Sequence, residues 1–239
     1  THAPHTYWQL GDYKNHRLEP QGFGIVDGGG FCSAKTLVDD KGRRISIGFL
    51  WSHWGWFSTP TPEQTAEGFA GVLSLPRELH VLPGNTLGIE PVEELNQLRG
   101  KHTRLENLSF SASDEVQRFM LENISGDSLE LELEFEPASA EAFGVSIRCS
   151  SDFEETVDII YNTQTKKLVD ASLELKANEG LKLRIYIDRS IIEIFANGRI
   201  CQTITNYPKR TDALNVAVVA QKGWVKVRSV DAWEMQAIR

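Results

Sequence analysis

Between positions 129 and 136 the chain reads Leu-Glu-Leu-Glu-Leu-Glu-Phe-Glu. Leu129, Leu131, Leu133 and Phe135 thus alternate strictly with Glu130, Glu132, Glu134 and Glu136, a period that an α-helix cannot place on one face. Such a segment folds as a β-strand, with an apolar side against a core and an acidic side toward water. The pattern returns in Leu181, Leu183, Ile185 and Ile187, with Lys182, Arg184 and Tyr186 on the opposite face. The apolar run 191–195 leads into Asn197-Gly198, two residues that tolerate positive φ and close a tight hairpin. Further hairpins are expected where 157–161 turns at 162–165 and returns through Leu168, and where 216–219 and 225–227 flank Lys222-Gly223.

Helical signals are scarce. The segment 91–99, Pro-Val-Glu-Glu-Leu-Asn-Gln-Leu-Arg, predicts a short helix with Pro91 near its start and acids in its first turn. It divides two unlike regions, and residues 93–103 read as the connector. Residues 104–239 carry short, closely spaced strands with turn signals, the pattern of a two-sheet β-sandwich. Residues 1–92 offer five or six strands, among them 7–13, 31–39, 44–51, 71–75 and 78–82, with a dense group of aromatics at Trp8, Trp51, Trp54, Trp56 and Phe57. That is about one propeller blade plus part of another, and a blade does not bury both its faces alone. The expected class is all-β: the terminal blades of a propeller, completed by another chain, followed by the sandwich.

Composition narrows the functions. A formal charge of -8 and no basic stripe argue against a nucleic-acid surface, which needs clustered Lys and Arg. No apolar run reaches the roughly 18–20 residues that span a bilayer. Cys32, Cys149 and Cys201 make no metal spacing and no paired motif, and Cys149 and Cys201 would bond only if their strands were neighbours. Asn107-Leu-Ser109 and Asn123-Ile-Ser125 are glycan acceptors for a chain that passes through a secretory route, so a secreted or vacuolar location is expected. With neither an initiator Met nor a leader pattern, the sequence reads as starting at a processed or internal end.

Four further stretches are specific. Trp8-Gln-Leu-Gly-Asp-Tyr13, Asp27-Gly-Gly-Gly-Phe-Cys-Ser-Ala-Lys-Thr36, Gly42-Arg-Arg-Ile-Ser-Ile-Gly48 and Gly71-Val-Leu-Ser-Leu-Pro-Arg-Glu-Leu79 resemble glycoside hydrolase family 32. They look like the part that follows the family's acid/base motif, at the end of a five-bladed propeller. The segment 91–99 resembles the family's link to its C-terminal sandwich, and Ile187-Asp-Arg-Ser-Ile-Ile-Glu-Ile-Phe-Ala-Asn-Gly198 resembles that sandwich's signature hairpin. The matches fall in the family's order along nearly the whole chain.

The resemblance implies retaining chemistry on β-fructofuranosyl bonds of sucrose or fructans, by hydrolysis or by transfer, with no cofactor or metal. One carboxylate attacks the anomeric carbon, while a second carboxyl protonates the leaving oxygen and then activates water. The family's nucleophile motif (Asn-Asp-Pro-Asn-Gly), stabiliser motif (Arg-Asp-Pro) and acid/base motif (Glu-Cys) are all missing from this sequence. No catalytic residue is therefore expected here, and an N-terminal propeller chain of the same enzyme is the implied partner. A non-catalytic fructan-binding or accessory protein is the alternative.

The resemblance also assigns substrate-binding positions. Cys32 stands where the family usually has Tyr, and Phe49 where it has Trp, so both hydrogen-bonding groups of the fructose funnel are replaced. His5 is a candidate for a leaving-group subsite. The neighbouring Trp51 and Trp54 either stack on sugar or pack against the companion half. Asp27, ahead of three glycines, reads as a turn-capping acceptor, and Asp188, Ser190 and Glu193 as local supports of a hairpin.

Overall fold

The computed structural model describes residues 6–50, 62–68 and 71–237. It is nearly all β, 62% strand against 5% helix. The chain forms two compact units, 1–95 with 193–205, and 96–192 with 206–239.

The first unit opens with a two-stranded ribbon, β1 (Tyr7–Lys14) and β2 (Arg17–Ile25). Asn15 and His16, at φ 49° and 63°, make the tight turn between them. A second sheet holds β3 (Phe31–Val38), β4 (Arg44–Leu50), β6 (Arg77–Leu82) and β7 (Thr86–Pro91) in that order, with the two-residue β5 (Val72–Leu73) beside β4. Each of the four strands pairs antiparallel with the next, the meander of one propeller blade. β2 and β7 were not among the expected strands. In β2, Pro20, Gly22 and Gly24 interrupt any apolar alternation, and the Trp8 ring lies over the two glycines.

Two helical expectations need correction. The segment at 91–99 is a 3₁₀ stretch, Glu93–Leu98, because Pro91 still pairs with Arg77 as the last residue of β7. An α-helix occurs instead at α1 (Pro62–Glu67), with Pro62 at its first position and Glu63 in its first turn.

The second unit is a sandwich. One sheet runs β15 (Lys182–Asp188), β10 (Ser128–Phe135), β19 (Gly223–Met235) and β8 (Arg99–Ala112). The other runs β14 (Ala171–Ser172), β13 (Lys167–Leu168), β12 (Val157–Asn162), β11 (Ala142–Cys149), β18 (Asn215–Gln221) and β9 (Gln117–Ser125). Leu129, Leu131, Leu133 and Phe135 are buried as their alternation predicts, and each contributes about 1.5–3 kcal/mol. The Phe135 and Phe143 rings meet at 5.5 Å, and Tyr161 meets Phe143 edge-on at 5.8 Å. β8 takes in Arg99 to Thr103, the second half of the expected connector.

Two readings fail in this unit. Lys222-Gly223 does not close a hairpin: β18 pairs with β11 and β9, whereas β19 pairs with β10 and β8, so the turn carries the chain from one sheet to the other. A side chain at Gly223 would meet the Ala140 backbone at 2.8 Å. The acidic side of β10 is also not uniformly wet. Glu130 is fully buried, taking hydrogen bonds from Arg99 (2.8 and 2.7 Å), Arg184 (2.6 Å) and the Tyr186 hydroxyl (2.9 Å). β16 (Ile191–Ala196) begins in this unit and passes into the first, where β17 (Ile200–Thr205) follows. Asn197 and Gly198 join these two strands with φ of 49° and 63°, the turn expected from that dipeptide.

Candidate functional site

Within the blade, Cys32 on β3 and Phe49 on β4 are direct cross-strand partners, so their side chains share one face. Two residues, Ser33 and Ala34, then oppose Gly48 alone, and Ser33 sits at φ 53°. This β-bulge re-aims the strand just past Cys32. Cys32 is buried and Phe49 half-buried, with the Phe49 ring against Gly71. The pair offers a thiol, a weak donor, and an apolar ring without a donor. His5, Trp51 and Trp54 lie outside the described residues.

Beneath β3 lies a charged cluster that the sequence reading missed. Arg77, at the start of β6, is completely buried. Its guanidinium donates to Asp27 (2.8 Å), to Glu193 on β16 (2.5 and 3.1 Å) and to the Thr203 hydroxyl (3.2 Å), and sits 4.2 Å from the centre of the Phe31 ring. Asp27 does cap its turn, accepting the Gly29 N–H at 2.6 Å. It also accepts the N–H and the hydroxyl of Thr203 at 2.9 and 2.6 Å, so it is an ion-pair partner as well. Glu193 is not a local hairpin support: it accepts the Leu75 N–H at 2.7 Å and pairs with an arginine 116 residues away. A Glu inside the apolar run Ile191-Ile-Glu-Ile-Phe195 was the available signal, since a strand buried on both faces holds a charge only when it is paired.

Two carboxylates share one guanidinium here, and they divide its benefit unequally. Burial pushes the Asp27 carboxyl up, but Arg77 and the donors from Thr203 and Gly29 outweigh it and hold Asp27 below the usual carboxylate range. For Glu193 burial wins over Arg77 and the Leu75 N–H, and its carboxyl is raised. Neither group faces solvent, with side chains 0% and 4% exposed, so this pair cannot flank a glycosidic bond. Its chemistry is anchoring: it ties the 27–30 turn, β6 and the β16–β17 hairpin together within the first unit.

All three cysteines are free and buried. Burial pushes the Cys201 and Cys149 thiols up, which makes both poor nucleophiles at neutral pH. In the second unit Asn107 and Asn123 are exposed, at φ 54° and 61°.

Residues 94–234 match the family model "Glycosyl hydrolases family 32 C terminal". The chain is 27% identical to the sucrose-6-phosphate hydrolase of Zymomonas mobilis, over 95% of this chain and 46% of that protein. It is 32% identical to the levanase of Bacillus subtilis, over 82% of this chain and 34% of that protein. The fructan 1-exohydrolase IIa structure from Cichorium intybus superposes with a TM-score of 0.79 at 21% identity, covering 99% of this chain and 56% of the other, a likeness of fold. The chain thus spans about half the length, or less, of the curated relatives it matches. With an all-β blade followed by a sandwich and a family match over most of the latter, the chain belongs to glycosyl hydrolase family 32, of which it carries the C-terminal domain.

Proposed function

We propose that this chain supplies the closing propeller blade and the β-sandwich of a retaining β-fructofuranosidase acting on sucrose or fructans. The nucleophile and acid/base come from an N-terminal propeller chain. The observation that carries this reading is the sealed state of Asp27 and Glu193: the two carboxylates brought together beside the blade are committed to Arg77. On this reading the partner supplies the reactive carboxyls, about 5–5.5 Å apart in a retaining site. The substrate class follows the names of the relatives, which act on sucrose 6-phosphate, levan or fructan.

On this reading the partner's carboxylate forms the fructosyl intermediate, and Cys32 and Phe49 form an apolar part of the wall around the fructose. Water intercepts the intermediate in hydrolysis and a sugar hydroxyl does so in transfer; hydrolysis is the default. Losing the family's phenol and indole donors weakens sugar binding by about 1 kcal/mol for each bond. Denaturing electrophoresis of the native preparation, alongside a sucrose assay, tests the proposal. It expects a second polypeptide in the active fraction, and activity from this chain alone refutes it. The missing catalytic motifs favour one other reading, a fructan-binding accessory protein, for which the preparation is a lone inactive chain that retains fructan. The exposed Asn107 and Asn123 support a secreted or vacuolar location, checked by a glycosidase-dependent shift in mobility.

A further inference from the structure

The second unit presents its two glycan acceptors differently. Asn107 lies inside β8, where pairing with β19 runs without a break from Glu106–Ser229 to Leu108–Val227. Asn123 lies where β9 loses its register. Met120 faces Ala217 and Ser125 faces Asn215, so residues 121–124 stand against Val216 alone. This is an enlarged β-bulge on an edge strand, and Asn123 sits exposed within it at φ 61°, a conformation asparagine tolerates.

Beside the bulge is a cleft of about 220 Å³, open to solvent, and Asn123 is one of its lining residues. Asn107 is not. The base of the cleft is apolar, formed by the buried Ile124, Leu129 and Ala232. Its margin is polar, with the exposed Ser125 and the Lys101–Glu234 ion pair at 3.5 Å. Residues of β8, β9, β10 and β19 contribute, so both sheets of the sandwich fix its shape. An apolar base ringed by a few polar groups suits a small ligand that is apolar on one side and hydroxylated on the other. A hexopyranose bearing an acetamido group has that character.

We propose that Asn123 is an N-glycosylation site whose first N-acetylglucosamine seats in this cleft, while a glycan on Asn107 stands free in solvent. In the modification Asn123 Nδ2 bonds to C1 of the sugar and gives up one proton. The bond from C1 to the diphosphate of a polyprenyl-linked oligosaccharide breaks, and the lipid diphosphate leaves. The acceptor's position selects this occupant, because the linkage holds the sugar at the margin of the cleft and makes its seating intramolecular. The acetamido methyl and the C–H face cover Ile124, Leu129 and Ala232, and the hydroxyls meet Lys101 and Glu234. The seat rests on the secretory location proposed above.

The test uses the full protein isolated from its own source. Trypsin places the two acceptors on different peptides, 105–118 and 119–148, so mass spectrometry reads the occupancy of each. Asn123 is expected to be occupied. An endoglycosidase that cuts between the first two sugars is expected to trim its glycan about tenfold more slowly in the native protein than in the 119–148 glycopeptide, as for a seat open about one tenth of the time. A glycan on Asn107 is expected to trim within about twofold of its own glycopeptide. Lys101→Ala with Glu234→Ala removes the polar margin at two exposed positions and is expected to bring native trimming at Asn123 to within about twofold of the glycopeptide. A bare Asn123 beside an occupied Asn107, native trimming at Asn123 as fast as in its glycopeptide, or a double variant trimmed as slowly as the parent overturns the seat and keeps the secretory location. Two bare acceptors remove the location, and the seat with it.

Discussion

Replacing Arg77 with Met tests the buried cluster most directly. Methionine keeps most of the volume and removes the charge, so the cavity contribution is small and the electrostatic one dominates. Breaking a buried ion pair by deleting one partner costs about 3–5 kcal/mol, because the other charge is left in the interior. The loss falls unequally on the two carboxylates. Asp27 keeps the Gly29 N–H and both Thr203 donors, whereas Glu193 keeps only the Leu75 N–H among its hydrogen bonds to described residues. Glu193 is therefore the main source of the penalty, and adding Glu193→Gln to Arg77→Met is expected to recover about 1–2 kcal/mol of it.

The pH dependence follows from the same inequality. The folded Glu193 carboxyl holds its proton more tightly than the unfolded one, so the stability linked to it is present in acid and declines as pH rises above the ordinary value of 4.5. Removing Arg77 raises that carboxyl further, and the cost of Arg77→Met grows between about pH 5 and pH 7.5. Asp27 is shifted the other way, and its contribution is lost only in acid below its ordinary 3.8, outside that window. Urea unfolding at the two pH values, with exchange rates of the Leu75 and Thr203 amides, measures both effects. A cost below about 1 kcal/mol, or one that does not change with pH, refutes the unequal sharing of the guanidinium.

Three other substitutions have defined outcomes. Glu130→Gln leaves Arg99 and Arg184 without their common carboxylate and is expected to cost about 2–3 kcal/mol near neutrality in urea melts. Although burial opposes it, Arg99 and Arg184 lower the Glu130 carboxyl, so its contribution is present above the ordinary 4.5 and lost as pH falls, and variant and parent converge in acid. Gly198→Ala puts a Cβ at φ 63° and is expected to destabilise the β16–β17 hairpin by about 1 kcal/mol in thermal melts. Cys32→Tyr, which restores the residue usual in the family, is expected to change the sucrose KM of the proposed two-chain enzyme; an unchanged KM takes position 32 out of the site.

What the sequence made legible was periodic and local. The alternation in 129–136 and 181–187 located β10 and β15, and Asn197-Gly198 located a turn whose φ values match its residues. Alternation assigns faces but not what covers them, so it could not reveal that Arg99 and Arg184 close over Glu130. Lys222-Gly223 has the composition of a hairpin turn, yet partner choice is set by strands far away in sequence. β2 was hidden because its glycines answer to the Trp8 ring, and Asn15-His16 is not a strong turn pair. At the candidate site the sequence singled out Cys32 and Phe49, which prove to be cross-strand neighbours, but not Arg77, whose partners are 50 and 116 residues away.

The face that carries Phe49 decides between two roles for it. Ile45, Ile47 and Phe49 alternate along β4 on one side, and Leu37, opposite Ile45, is 56% exposed on that same side. An apolar blade face is suited to packing against another sheet, while its end beside Cys32 is suited to lining a sugar. Leu37→Ala and Phe49→Ala in the proposed two-chain enzyme separate these roles, with Phe153→Ala in the second unit as a remote control. A sugar-lining Phe49 raises KM when truncated and leaves chain association near the parent value, while Leu37→Ala weakens association alone. If Phe49→Ala instead weakens association as Leu37→Ala does, with KM unchanged, or matches Phe153→Ala in activity at equal stability, Phe49 belongs to the packing between sheets and the sugar wall lies elsewhere.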